Sequence, residues 1–470
     1  MQASIPSRRT GRHSLIVIGA ALLLVVATWA AGWATAELDA RHPVASDQAA
    51  AAEAAPLSPP GLGSGPGGSR LLLDQVDSAI QVWSGNLARD PSDFISATNL
   101  ASMHLARGRI TGDGGDFDRA GAAADAALRN HPDYLAARLL SAELLLATHD
   151  FPAAEAAAQQ LLAADPGLAP ALAILADAQL ERGSYDAAEQ SLAELEELAA
   201  GPAVTARRAH LSWLQGEDAE ATRQAASAWR AAVDAEIAVV ERAWYAAFAG
   251  ELALRMGDLP AAVVHFTQGL ELNPGDAGAL VGIGHARAAG GDLDSAMEAY
   301  EAAAALRPSP ATLAALAELH LLVGDADGAA ERWAQIDLQV TLADVDGRPL
   351  GRDLALIWAD LGREVDRAVV VAERDLEVRP GVFGWDAYAW ALHAAGRFGD
   401  AQEAMQRALA EGTTDPLLIY HAGMIAAANS HAEAARAHLQ HAVAPGSSLL
   451  PWFRSRAEAA LAGLPAGPSR

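Results

Sequence analysis

The stretch "GHARAAGGDLDSAMEAYEAAAALRP", Gly284 to Pro308, has hardly a side chain able to do chemistry, yet it sets Gly, Ala, Tyr, Ala and Pro at fixed spacings. Small residues such as Gly284 and Ala296 let two helices cross closely, while larger ones such as Leu280 and Tyr300 fill the space beside them. Gly291 can take φ > 0 and end one helix, Asp292 can cap the next, and Pro308 stops the second. The stretch is a packing instruction for a helical hairpin.

The instruction recurs. Ala246, Ala249, Gly250, Ala253, Gly257, Leu259, Ala262, Phe266, Gly269 and Pro274 follow the same order one 34-residue period earlier. Gly183 with Tyr185, Gly324 with Trp333, and Gly396 with Phe398 mark further turns and second helices, as do Phe117, Phe151 and Ala368. Weaker copies lie at Gly216–Ala221 and Asn429–Ala434, giving about ten units between Pro91 and Pro451. The chain resembles the tetratricopeptide-repeat family over about four-fifths of its length, with only the Tyr position of the opening unit replaced, by Arg287. The resemblance implies an all-α fold, a right-handed superhelical solenoid of antiparallel helix pairs with a concave groove lined mainly by first helices.

Composition agrees with that class. Ala and Leu dominate a 51% hydrophobic content, aromatic residues make up 5%, and Val, Ile and Thr rarely form runs, so sheet is not expected. The formal net charge is −26, with Arg as the sole strongly basic residue type, and such a surface repels phosphate backbones and anionic headgroups. No nucleic-acid partner is expected. The absence of cysteine excludes disulfides and thiolate chemistry.

Compartment is written in the N-terminus. Residues 1–14 are short and basic, with Arg8, Arg9 and Arg12 on the side expected to stay cytoplasmic. Residues 15–36 are uncharged and long enough for a membrane span of about 20 residues. Ala34-Thr35-Ala36 would suit signal-peptidase cleavage. The length of the apolar core and the interfacial pair Trp29 and Trp33 favour a retained single-pass anchor over a secreted or periplasmic product. The membrane is met through this segment only. Residues 37–70 form a Pro/Gly/Ala-rich flexible linker, 71–464 the repeat superhelix with a capping helix from Pro451, and 465–470 a tail. The Ala/Arg-rich, Lys-free composition and the export segment together fit a bacterial-type envelope protein.

Three places interrupt the period. Arg107–Asp118 lengthens the turn of the first unit, Asp218–Val240 reads as one long second helix, and Asp337–Gly351 breaks the register. Asp113, Asp116 and Asp118 lack the ligand register of a calcium loop and read as a capped turn. His431, His438 and His441, near His421, are the weak candidates for a metal site, since His438 and His441 share a helical face. The same two positions are packing sites of the repeat. No hydrolase, zinc-protease, phosphate-loop or dinucleotide motif is present, so neither catalysis nor a cofactor is expected.

The family resemblance places His210, Trp213, Trp244, Glu251, His285, Glu318, Asp386, Trp390 and His393 on the concave face. Trp and His beside carboxylates suit an extended peptide with apolar or basic side chains, although such Trp residues also serve as packing between units. The expected function is a non-catalytic scaffold recruiting a protein or peptide partner. The alternative is an extracytoplasmic metal- or ligand-handling protein built on the C-terminal histidines.

Overall fold

The computed structural model describes residues 68–465, other than 236 and 347–349, and within them the chain forms 22 helices and no strand. The expectations placed on the N-terminal basic segment, the apolar stretch and most of the linker lie outside the described residues. No helix among the described residues is long and apolar enough to cross a membrane.

After α1 (Gly68–Arg89) come ten antiparallel hairpins. The first five are α2 (Phe94–Thr111) with α3 (Gly114–Asn130), α4 (Leu135–Ala147) with α5 (Phe151–Ala164), α6 (Ala169–Glu181) with α7 (Tyr185–Ala199), α8 (Pro202–Leu214) with α9 (Asp218–Asp234), and α10 (Val239–Arg255) with α11 (Leu259–Leu272). The second five are α12 (Ala277–Ala289) with α13 (Leu293–Leu306), α14 (Pro310–Leu322) with α15 (Ala326–Asp346), α16 (Arg352–Leu361) with α17 (Val365–Val378), α18 (Val382–Ala394) with α19 (Phe398–Ala408), and α20 (Pro416–Ala428) with α21 (Ala432–Ala442). A last helix, α22 (Pro451–Gly463), packs on α20 and α21 and buries Trp452, Phe453 and Ala457.

One device builds every hairpin. At each turn a residue adopts the left-handed conformation: Gly112, His149, Gly183, Gly216, Gly257, Gly291, Gly324, Gly362, Gly396 and Ser430. In most of them the next amide reaches back to a carbonyl of the preceding helix, as Ser184 N–H does to Gln179 and Asp292 N–H to Arg287, which satisfies the helix end. Asp150, Asp258 and Asp292 then cap the second helix through their carboxylates. Within a hairpin the small residues are obligatory: a Cβ on Gly284 would lie 2.9 Å from the Tyr300 ring, and one on Gly282 would overlap Phe266.

The irregular stretches take definite forms: Gly112 and Asp113 alone join α2 to α3, so Arg107–Asp118 does not lengthen the turn as the sequence reading expects. Asp218–Val240 is not one helix, because α9 ends at Asp234 and α10 starts at Val239, the chain having to reverse for the fifth hairpin. Asp337–Asp346 is helical, being the continuation of a 21-residue α15. In the first hairpin Asp116 is buried and engaged by Arg107, Arg119 and His104, which holds its carboxyl down at about 2 against the cost of burial. Those partners occupy the carboxylate that a cation would need.

The hairpins do not stack only on their neighbours. The Tyr185 hydroxyl accepts a hydrogen bond from the Val382 amide at 3.0 Å, Thr414 donates to Asp218 at 2.8 Å, and Arg255 pairs with Asp415 at 2.8 Å. Gly183 abuts Pro380 and Gly381, Gly216 abuts Gly412, and Gly257 abuts Gly446. At each of these glycines the turn of one hairpin meets the N-terminal approach to the first helix six units later. The solenoid therefore coils through one turn in about six units and seats its first turn on its second, along a continuous seam.

Candidate interaction surface

The seam decides where the concave-face residues end up. Trp213, at the end of α8, is 1% exposed; its ring lies 5.1 Å from Phe383 at the start of α18, with the Arg255 guanidinium 5.7 Å above it. His210 stacks on Trp213 at 5.7 Å and burial lowers its pKa to about 4. Trp244 is half-buried, its ring parallel to Phe248 at 5.3 Å. Glu251 accepts from Arg255 at 2.7 Å, and burial likewise lowers His285 to about 4, beside the backbone of Ser448. Glu318 is bound by Arg456 of α22 at 2.9 Å.

The remaining three gather into one cluster. Trp390 is 5% exposed, donates from Nε1 to Asp360 at 2.9 Å, and lies between His393 at 4.8 Å and His421 at 4.2 Å. Asp386 accepts from His421 at 2.8 Å. Burial alone would depress His421, but the carboxylates of Asp386, Asp360 and Asp415 outweigh it and raise its pKa. Burial, reinforced by His421, lowers His393 to about 4.

These nine side chains are buried or half-buried, and they are not gathered along one open groove of the kind the sequence reading expects. They separate into local clusters, most of them filled by partners from 100 to 200 residues further along, because the second superhelical turn supplies Phe383, Asp415, Ser448 and Arg456 to the inner face. Sequence reasoning missed those partners, and the cues for them are slight: Phe383 follows a Pro-Gly turn and Asp415 reads as an ordinary helix cap. At the seam lies a cavity of about 30 Å³, room for a single water, lined by Glu181, Tyr185, His210, Arg352, Arg379 and Phe383. Burial pushes the Glu181 carboxyl up to about 7, against the pull of Arg379 and Arg352.

The C-terminal histidines do not converge. His421 is buried on Asp386, whereas His431 caps α21 and His438 and His441 lie along it. No group of three metal-ligating side chains is found among the described residues.

Open surface lies elsewhere. A cleft of about 800 Å³ runs outside the seam between the third and fourth hairpins and the 410–411 turn. Glu189, Glu217, Glu220 and Glu411 line it with Arg208, which is itself paired with Glu196, and Glu220 is ion-paired with Arg223. Sequence inspection alone does not bring Glu411 to the other three.

Family models match parts of the chain. Residues 113–167, 142–205 and 248–311 match tetratricopeptide-repeat families, the second and third stretches matching the same one. Among solved structures, a tetratricopeptide repeat protein from Parabacteroides merdae is 16% identical and covers 54% of this chain and 96% of its own, with a TM-score of 0.41. PilF of Pseudomonas aeruginosa is 18% identical over 43% of this chain and 90% of its own, with a TM-score of 0.37. The human IFIT1 dimer is 13% identical over 80% of this chain and 86% of its own, with a TM-score of 0.42. No curated protein matches the chain.

Proposed function

We propose that this tetratricopeptide-repeat solenoid is a non-catalytic interaction scaffold, tethered by residues 15–36 to a membrane and presenting its repeats on the extracytoplasmic side to a partner with basic side chains. The observation that carries the proposal is the acidic cleft. Four carboxylates around an open volume of about 800 Å³, on a chain of net charge −26, attract Arg and Lys side chains and speed their encounter. The filled inner face supports the same choice, because an extended peptide entering between Trp213 and Phe383 would have to separate the two superhelical turns.

The experiment is crosslinked affinity capture of the full chain from its own membranes, beside a Glu189→Lys/Glu217→Lys/Glu411→Lys variant. A partner held by the parent, shed at high salt and absent from the variant is the expected result. Equal capture by both would remove the cleft from the reading. Alkaline extraction of the same membranes tests the tether: the full chain should stay in the pellet and a chain lacking residues 1–36 should not. Release of both would refute a retained anchor.

A further inference from the structure

The two edges that mate along the seam are each left unmated once. Turns of the first, third, fourth and fifth hairpins have a neighbour from the second superhelical turn: a Cβ on Gly112 would touch Arg307, and those on Gly183, Gly216 and Gly257 would strike backbone at Pro380, Gly412 and Gly446. The equivalent glycines of the sixth to ninth hairpins, Gly291, Gly324, Gly362 and Gly396, have nothing within 4 Å. The approaches to the first helices of the opening turn are just as open, with nothing near Gly201 and only its own Asp165 near Gly167.

The seventh hairpin shows what the free edge is made of. Three residues before the turn glycine stand Leu180, Trp213 and Leu254 in the third, fourth and fifth hairpins, and all are at most 2% exposed. Leu321 occupies that position in the seventh and is 50% exposed, with Leu322 at 41% and Val323 at 53%. The residues resemble those that dock on the seam, but in one chain they have nothing to dock on.

We infer that this edge receives a second copy of the same chain, stacked head to tail so that the superhelix continues from one molecule to the next. The occupant follows from continuity with the internal seam, since the surface that accepts such a turn is the N-terminal edge of first helices, and the free example of that edge lies at the other end of this chain. Counting on by six first helices from α14, through α22 as the last of its copy, arrives at α4 of the next. There Tyr134 lies 4.9 Å from Phe94 and 5.9 Å from His131, an aromatic surface whose His131, Pro132 and Asp133 are exposed. Leu321, Leu322 and Val323 would meet it as the third hairpin's turn, with Leu180 and Tyr185, meets Gly381 and Val382 at the start of α18, six first helices on. The contact is heterologous, so it propagates instead of closing a dimer.

The cysteine-free chain makes the test direct. Two full-length variants, Leu322→Cys and Asp133→Cys, are mixed in detergent micelles and treated with a short bismaleimide. A fluorescent maleimide verifies that both thiols react, and circular-dichroism melts verify that both variants fold like the parent. Adducts that form in the mixture but in neither variant alone, that increase with salt as like-charge repulsion is screened, and that are lost when Leu321→Arg is added to the Leu322→Cys chain, are expected. Adducts from Leu322→Cys alone at the same yield would show a symmetric face-to-face contact and overturn the proposal. So would the absence of adducts from two folded, reactive variants up to their solubility limit.

Discussion

Replacing Gly183 with Ala tests the seam against a built-in control. Gly183 and Gly396 hold the same position in their hairpins with φ of 66° and 72°, so Ala at either costs the same left-handed strain, about 1–2 kcal/mol. Their surroundings differ. The new Cβ at 183 would lie 2.9 Å from the Pro380 carbonyl oxygen and 3.0 Å from the Gly381 Cα, both backbone atoms, whereas at 396 it meets nothing within 4 Å. Relieving that approach means moving two backbone segments apart, and overpacking of this kind costs about 1–3 kcal/mol. The same movement stretches the 3.0 Å hydrogen bond from Val382 to Tyr185, with about 0.5–1.5 kcal/mol at stake. Gly183→Ala should therefore lose about 2–4 kcal/mol more than Gly396→Ala in urea unfolding of the full chain. Native-state hydrogen exchange should locate the difference at residues 380–384, far away in sequence. Equal losses, with exchange at 380–384 unchanged, would mean that the two superhelical turns do not touch, and the assignment of the inner face would go with them.

Other outcomes follow from single groups. Tyr185→Phe leaves the buried Val382 amide without its acceptor, which should cost about 1–3 kcal/mol and speed exchange at that amide; a variant as stable as the parent would contradict the bond. Ser430→Gly relieves a φ of 62° at the last turn and should stabilise by about 0.5–1 kcal/mol in thermal or urea unfolding, a loss being the wrong sign. Glu181 is raised to about 7 in the fold from an ordinary 4.5, so the folded state binds more protons between those values. Its contribution is present below pH 4.5 and declines as pH rises toward 7. Stability of Glu181→Gln relative to the parent should accordingly improve across that window, and a gap independent of pH would refute the buried carboxyl.

The hairpin was legible in the sequence because its determinants are local: Gly291 before Asp292, Tyr300 against Gly284, and Pro308 at the exit all act within one unit. The superhelical pitch was not, since it accumulates from small rotations between successive units. Trp213 and Trp390 were expected on the inner face from the family resemblance, but whether that face is open depends on a partner such as Phe383, five hairpins away. The break between α9 and α10 was hidden for another reason. Ala231, Ala232 and Ala235 carry full helix propensity through it, and packing of the fifth hairpin overrides them.

Coiling onto itself alters how the molecule comes into being. In a solenoid whose units touch only their neighbours, contact order is low and each unit can fold as it leaves the ribosome. Here Gly257, His285 and Glu318 wait for Gly446, Ser448 and Arg456, made 138 to 189 residues later. Each early turn should close only when its partner six units on has been made, Gly112 on Arg307 first and Gly257 on Gly446 after the others. A chain cut before Gly446 would keep all ten hairpins and the Arg255–Asp415 pair, yet lose the seat of Gly257 and the partners of His285 and Glu318.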